Sequence, residues 1–186
     1  MSNFTTYPSL VDRVIFVSGG GSGIGASIVE HFARQRAKVA FVDINEEASQ
    51  AVVERLSDDD HATPTFIKCD LCDIAALRAA IAEVENTLGP VRVLVNNAAH
   101  DQRHEIDDVT PESWDNSMAI NLKHQFFAAQ AVRKGMAEAG GGAIINLGSV
   151  SWMLGMGGMP GYTTAKSAVE GLTKSLATDF GDQNIR

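Results

Sequence analysis

Along the chain, short unbroken apolar runs alternate with longer stretches in which apolar residues recur every three or four positions. The runs "RVIFVSGG" (13–20), "KVAFVD" (38–43), "TFIKCD" (65–70), "VRVLVNNAA" (91–99) and "AIINLGS" (143–149) are rich in β-branched residues and read as strands. Between them, "GIGASIVEHFARQ" (23–35) places Ile24, Ile28 and Phe32 at helical spacing, and "INEEASQAVVERL" (44–56) reads as a helix capped by Asn45. "DIAALRAAIAEVENTLG" (73–89) predicts a helix capped by Asp73 and stopped at Gly89. Pro111 opens one long helical segment through about Glu138, ended by "GGG". From Pro160 a last helix carries Ala165, Val169, Leu172 and Leu176 along one stripe.

Strands that are apolar throughout must be covered on both faces, and their alternation with helices predicts a doubly wound, parallel α/β sheet. There are no internal repeats and no Pro/Ser-rich linker, so residues 1–186 are expected to form a single domain. A hydrophobic fraction of 45% over 186 residues is enough for one sizeable core. The acidic run "SDDDH" (57–61) reads as a solvated loop. A formal net charge of -8 argues against nucleic acid or an anionic membrane as partner. No apolar run approaches the roughly 18 residues of a spanning helix. The opening "MSNFTTYPSLVDR" lacks the basic leader and apolar core of a signal peptide. Cys69 and Cys72 have no second pair at zinc spacing, so no metal is expected. They read as two reduced thiols in a cytoplasmic protein rather than as a redox pair.

The first strand runs straight into "SGGGSGIG". Two registers fit: Gly21, Gly23 and Ala26 in G-x-G-x-x-G/A spacing, or Gly19, Gly23 and Gly25 in G-x-x-x-G-x-G. Either lets the backbone approach a pyrophosphate and present the amides of a helix N-terminus to it. A loop of this composition between a first strand and a first helix points to dinucleotide binding. Asp43 ends the second strand, twenty residues beyond Gly23, where a carboxylate accepts hydrogen bonds from an adenosine ribose and repels a 2′-phosphate. No arginine or lysine occupies the glycine turn, so NAD is expected over NADP. The alternative is that Asp43 only caps the next helix.

Together with "CDL" after the third strand, "NNAA" after the fourth, Asn121, and Ser149, Tyr162 and Lys166, these residues make the chain resemble the classical short-chain dehydrogenase/reductase family along nearly its whole length. The resemblance implies a Rossmann-type sheet and a nicotinamide cofactor. It implies a catalytic group of Asn121, Ser149, Tyr162 and Lys166. The implied cofactor contacts are Ser18, Gly19, Gly21, Ser22, Gly23, Ile24, Gly25, Asp43, Asp70, Leu71, Asn97, Ala98, Ala99, Tyr162 and Lys166. Ser18 stands where the family has threonine and keeps the hydroxyl. Ala99 stands where it has glycine and adds a methyl beside the cofactor. The family's spacing to the tyrosine selects Ser149 over its neighbour Ser151.

Tyr162 and Lys166 are four residues apart and share one helix face. A free tyrosine, with a pKa near 10, is a poor base at neutral pH, and a nearby ammonium favours its phenolate. Tyr162 is then expected to take the alcohol proton in oxidation while Ser149 holds the reacting oxygen. By the resemblance, Lys166 holds the nicotinamide ribose and Asn121 a water beside it. The glycines and methionines of "GSVSWMLGMGGMPG" offer an adaptable pocket wall.

The polar stretch "AAHDQRHEI" and Trp152, just past Ser149, suit a sugar: polar groups for hydroxyls and an aromatic face for C–H groups. "YPSL", "HDQRHEIDDVT" and "GSVSWMLG" resemble the D-xylose and related aldose 1-dehydrogenase branch. Ser149, Trp152, Tyr162, Arg103 and His104 are the expected substrate contacts, and a small alcohol or sugar the expected partner. Reduction of a 3-oxoacyl thioester or another ketone is the rival within the family, and a non-catalytic NAD-binding module the rival outside it. The family pattern extends further than "FGDQNIR", so the sheet is expected to be C-terminally incomplete. The full-length enzyme is expected to be a homo-oligomer, a dimer or tetramer.

Overall fold

The computed structural model describes residues 5–57 and 62–186. Five strands, β1 (Val14–Ser18), β2 (Lys38–Asp43), β3 (Thr65–Lys68), β4 (Val91–Asn96) and β5 (Ala143–Asn146), form a parallel sheet in the order β3-β2-β1-β4-β5. Its flanking helices are α1 (Gly23–Arg34), α2 (Glu46–Ser57), α3 (Ile74–Leu88), α4 (Pro111–Met118), α5 (His124–Glu138) and α6 (Pro160–Phe180). The chain steps outward from β1 to β3, then returns to lay β4 on the other side of β1. This is the doubly wound, Rossmann-type sheet, and the reversal beside β1 opens a crevice at the C-terminal ends of the strands.

The strand β1 shows why these runs are strands. All five residues are buried. Ile15 and Val17 pack with α1 and α2, whereas Val14 and Phe16 join the opposite cluster with α3 and α5. The two-residue period thus feeds both layers of core. Phe16 and Phe41 have no exposed surface, and full burial of each contributes about 1.5–3 kcal/mol.

The helix ends follow local chemistry. Asn45 Oδ1 accepts from the Ala48 amide (3.0 Å) and Asp73 Oδ1 from the Ala76 amide (3.0 Å). Gly89 ends α3 with φ of 100°, a conformation that favours glycine. Thr110 and Ser113 form a reciprocal capping box ahead of Pro111.

Three differences from the sequence pattern bear on the site. Ile24, expected on the apolar stripe of α1, is 70% exposed. The buried stripe is Ala26, Val29 and Ala33, small residues that let α1 lie close to the sheet, while Ile24 sits in the first turn above the crevice. The helix from Pro111 is not uniform: a π turn over Ala119–Lys123 separates α4 from α5. Such a turn inserts a residue and re-aims the side chains around it, here burying Asn121 and His124. Strands β3, β4 and β5 stop two or three residues short of their apolar runs, and past β3 and β4 those residues, Cys69, Asp70, Asn97, Ala98 and Ala99, line the crevice.

The first half of β5 does not stand as a bare edge. Residues 184–186 turn back beside it, with Gly142 bridging Ile185 and the Ile144 amide donating to the Arg186 carbonyl (2.8 Å). Ile145 remains 46% exposed. The acidic stretch read as a solvated loop lies, from residue 58 to 61, outside the described residues. No helix among the described residues is long and apolar enough to cross a membrane.

Candidate active site

The rim of β1 is tied to the rim of β4. Ser18 is wholly buried, and its hydroxyl accepts from the Asn97 and Ala98 amides (3.1 and 3.2 Å). Asn97 Nδ2 donates to the carbonyls of Ser18 and Gly19 (3.1 and 2.9 Å). Ser18 therefore braces the wall from within.

The backbone uses glycines of both registers. Gly19 and Gly23 have φ of 70° and 52°, and a Cβ on Gly25 would overlap the Gly19 carbonyl oxygen. Gly21 has no positive φ, and its amide donates to Asp43 Oδ2 (2.9 Å). A Cβ on Gly21 would come 2.5 Å from Ser49 Oγ and 3.0 Å from the Asp43 carboxyl, so both registers hold glycines that the turn needs. Ser22, the N-cap residue of α1, makes no side-chain capping bond, and no acidic residue lies in the first turn. The partial positive charge of that helix end stays available to an anion.

Asp43 is not the cap of α2; Asn45 is. The Asp43 carboxylate is held by the amides of Gly21 (2.9 Å) and Asn45 (2.9 Å) and faces a cleft of about 680 Å³. The same cleft is lined by Gly19, Ser22, Gly23, Ile24, Gly25, Asp70, Leu71, Asn97, Ala98 and Ala99, all expected cofactor contacts. No lysine or arginine lines it. Lys68, paired in register with Asp43 on β3, gives its charge to Glu46 (2.8 Å). Cys69 also lines the cleft; burial pushes its thiol up to about 11, so it stays protonated and unreactive at neutral pH.

Ile44, His100, Gln102, Asn116 and Ile120 complete the cleft, and the sequence pattern had not singled them out. Asn116 and Ile120 lie four apart, so helical spacing held the signal. His100 and Gln102 sit in the polar stretch after β4, where Arg103 and His104 were the expected contacts. A small recess of about 50 Å³ takes in His100, Gln102, His104, Asn116 and Asn121. Arg103 is exposed and reaches the Gly157 carbonyl (3.5 Å), while the His104 amide donates to the Gly158 carbonyl (2.8 Å). The segment after β4 thereby docks on the glycine-rich loop ahead of α6.

Asn121 is wholly buried in the π turn. Its side chain pins that same segment: Nδ2 donates to the His100 carbonyl (3.0 Å) and Oδ1 accepts from the His100 amide (2.9 Å). On α6, Lys166 is 2% exposed and donates from Nζ to the Leu147 carbonyl (2.7 Å). Burial pushes its ammonium down to about 8. Nζ lies 5.8 Å from the centre of the Tyr162 ring, so the pair expected from the spacing is formed. Tyr162 is half-buried in the first turn of α6. Ser149 Oγ donates to Ser151 Oγ (2.9 Å) and accepts from the Ser151 amide (3.1 Å), so it is not joined to Tyr162 here. Trp152 is half-buried in the following turn.

This arrangement matches known proteins. The family model described as short chain dehydrogenase matches residues 13–186. "Probable galactose dehydrogenase GalD" of Rhizobium meliloti (strain 1021) is 52% identical over 97% of this chain and 70% of its own length. The D-xylose 1-dehydrogenase of Caulobacter vibrioides (strain NA1000 / CB15N) is 46% identical over 97% of this chain and 71% of its own. The crystal structure of the apo form of LigO from Sphingobium sp. strain SYK-6 superposes with a TM-score of 0.88 at 32% identity, covering 95% of this chain and 66% of that one. The chain belongs to the short-chain dehydrogenase family. It is an oxidoreductase that uses a nicotinamide cofactor and acts on a small molecule. The uncapped α1 terminus, the glycine backbone and the two carboxylates of Asp43 and Asp70 fit such a cofactor's pyrophosphate and adenosine parts.

Proposed function

We propose that this chain is an NAD-dependent aldose 1-dehydrogenase. The observation that carries the substrate class is the polar end of the cleft. His100 and Gln102 line it with side chains that have no hydrogen-bond partner among the described residues, and the two relatives above are named for galactose and D-xylose. Several unpaired donors and acceptors suit a polyhydroxylated substrate better than an acyl chain.

The glycine turn binds the pyrophosphate and Asp43 the adenosine ribose, with Asp70 and Leu71 beside the adenine. Its two bonds to backbone amides hold the Asp43 carboxylate in place, where it repels a 2′-phosphate; this supports NAD over NADP. When bound, the nicotinamide supplies the hydride acceptor. Tyr162 takes the proton from the sugar hydroxyl as its C–H bond breaks. Ser149 Oγ exchanges its Ser151 partner for that same oxygen. Lys166 keeps a positive charge behind Tyr162, and Asn121 fixes the His100 segment along the substrate side. The full-length enzyme works in the cytoplasm and as a homo-oligomer, a dimer or tetramer, two features that fractionation and size-exclusion chromatography with light scattering check directly.

NADH formation measured over a panel of aldoses, hydroxysteroids, 3-oxoacyl thioesters and simple alcohols tests the substrate. An aldose is expected to give the highest kcat/KM; faster turnover of any other class overturns the assignment. The same assay with both cofactors is expected to favour NAD. Equal kcat/KM for NAD and NADP would reduce Asp43 to a brace for the glycine turn.

A further inference from the structure

The opposite rim of the sheet, where the strands begin, carries a second recess. Arg13 stands one residue ahead of β1, Arg92 is the second residue of β4, and Gly142 directly precedes β5. Together with Ser9, Asn184 and Arg186 they line a cleft of about 260 Å³. Parallel strands put all their N-terminal ends on one side, so this cleft lies at the far end of the strands from the cofactor crevice. Its walls are fixed by the backbone. The Gly141 and Gly142 amides donate to the carbonyls of Met136 and Asn184 (2.8 and 3.1 Å), and Asn184 Nδ2 donates to the Gly140 carbonyl (2.9 Å). Residues 184–186 run parallel to β5 and so head away from the cleft, toward the cofactor rim.

Three arginines meet in this cleft. Arg92 Nε donates to the Gly141 carbonyl (2.8 Å) and Arg13 Nε to the Ser9 carbonyl (3.1 Å). Each guanidinium is thereby anchored by one edge, with its terminal Nη donors left over. No carboxylate answers them: among the described residues, none of Arg13, Arg92 and Arg186 takes part in an ion pair. Burial, with the Arg13 charge next, pushes the Arg92 guanidinium down. Two like charges are thus held together and partly out of water, and an anion between them turns repulsion into attraction. The chain as a whole has 23 acidic residues against 15 basic ones, so three unanswered arginines in one recess run against its overall charge.

We propose that the cleft between Arg13, Arg92 and Arg186 is a binding site for inorganic phosphate, separate from the active site. Its volume of about 260 Å³ lies below the roughly 300–1,000 Å³ of pockets that enclose drug-sized ligands, which suits a single oxoanion and excludes a nucleotide. Guanidinium forks match phosphate oxygens two at a time, a geometry that chloride cannot use. The bound ion ties the start of β1 to the starts of β4 and β5 and to residues 184–186, so it stabilises the folded sheet by mass action. The two clefts share no residue, so the cofactor site is left as it is.

The test uses the full-length enzyme saturated with its nicotinamide cofactor, so that the α1 terminus, itself a place for an anion, is already filled. Melting temperatures are followed as inorganic phosphate replaces sodium chloride at constant ionic strength, which holds screening fixed. The wild type is expected to gain stability with phosphate along a saturating curve. Arg92→Gln is expected to raise the phosphate concentration for half the gain by about tenfold or more, and Arg13→Gln to act in the same direction. The dissociation constant of the cofactor should be unchanged in both variants. Equal wild-type melting temperatures in phosphate and chloride overturn the proposal, as does an Arg92→Gln protein that responds like wild type. If Arg92→Gln does not fold, Arg13→Gln carries the same comparison. A phosphate response that is present without the cofactor and absent with it places the ion in the other crevice and also overturns the proposal.

Discussion

Two glycine-rich loops leave the same rim of the sheet, each joining a strand to a helix, and they use glycine for opposite reasons. In the loop after β1, a Cβ on Gly25 would overlap the Gly19 carbonyl, and one on Gly20 would strike the Phe41 ring. Glycine is there because the backbone has no room. In the loop ahead of α6, Cβ atoms on Gly155 and Gly157 would meet nothing within 4 Å. Around them Val150, Met153, Leu154 and Met156 are exposed. One loop is fixed by its packing and lines the 680 Å³ cleft; the other is loosely packed and contributes no residue to that cleft.

The loose loop nevertheless begins and ends on fixed points. Lys166 holds the Leu147 carbonyl at its start, and Tyr162 follows Pro160 at its end on α6. The largest effect is therefore expected where the loose wall meets that helix. Tyr162→Phe should lower kcat by about 10²–10⁴-fold while NAD binding, set by the other loop, changes little. Stopped turnover with an unchanged NAD dissociation constant checks it; near-normal kcat at neutral pH would remove Tyr162 from the chemistry.

Gly25→Ala comes next. The added methyl must displace the Gly19 carbonyl or the Asn97 side chain, an overpacking expected to cost about 1–3 kcal/mol. Denaturant midpoints and NAD affinity should fall together, because the same carbonyl is part of the cradle. Loss of NAD affinity without loss of stability would mean that the loop is free to rearrange.

The anchor of the loose loop carries a pH signature. The Lys166 ammonium has a folded-state pKa of about 8 against an ordinary value of 10.5. Between those values the unfolded chain binds more protons, so this group makes stability rise with pH. The full span is worth about 3 kcal/mol. Cys69, pushed up to about 11, acts in the opposite sense, so the comparison is between wild type and Lys166→Met, both of which retain it. The stability of wild type relative to the variant should climb from pH 8 to 10.5. Parallel pH curves would show that folding does not lower the amine's pKa and that it stays charged across this range.

The difference between the loops also explains what the sequence could tell. The order of strands and helices was legible because each strand is apolar on both faces and each helix has a stripe; β1 and α3 match their patterns closely, cap residues included. Asp43, Asn97 and the glycine turn were legible because a tight backbone constrains residue type. The π turn was not: "AINLK" holds no proline or glycine to mark it, and the α6 that packs against it lies far away in sequence. His100 and Gln102 line the cleft from a loop, where no periodic pattern singles out one residue from its neighbours. Ser18 was legible as a polar residue at the rim but not as a brace, a role that needs β4 alongside.

The smallest expected effect sharpens the comparison most. Gly157→Ala places its methyl in open space, and Gly157, unlike Gly155 and Gly158 at φ of 62° and 74°, has no positive φ. Neither clash nor backbone strain opposes the change, so stability should stay within about 0.5 kcal/mol of wild type. NAD affinity should be unchanged, since this loop contributes no residue to the 680 Å³ cleft. The Gly157 carbonyl accepts from Arg103 at 3.5 Å, a long and exposed contact whose loss would cost little. What the methyl does alter is latitude: alanine has fewer backbone states than glycine. If the loop works by adapting, kcat/KM should shift differently for different aldoses while the melting temperature holds. Melting curves and an aldose panel on this one variant decide it. A loss of stability comparable to that of Gly25→Ala would show that the second loop is as closely packed as the first, and the contrast between them would fail.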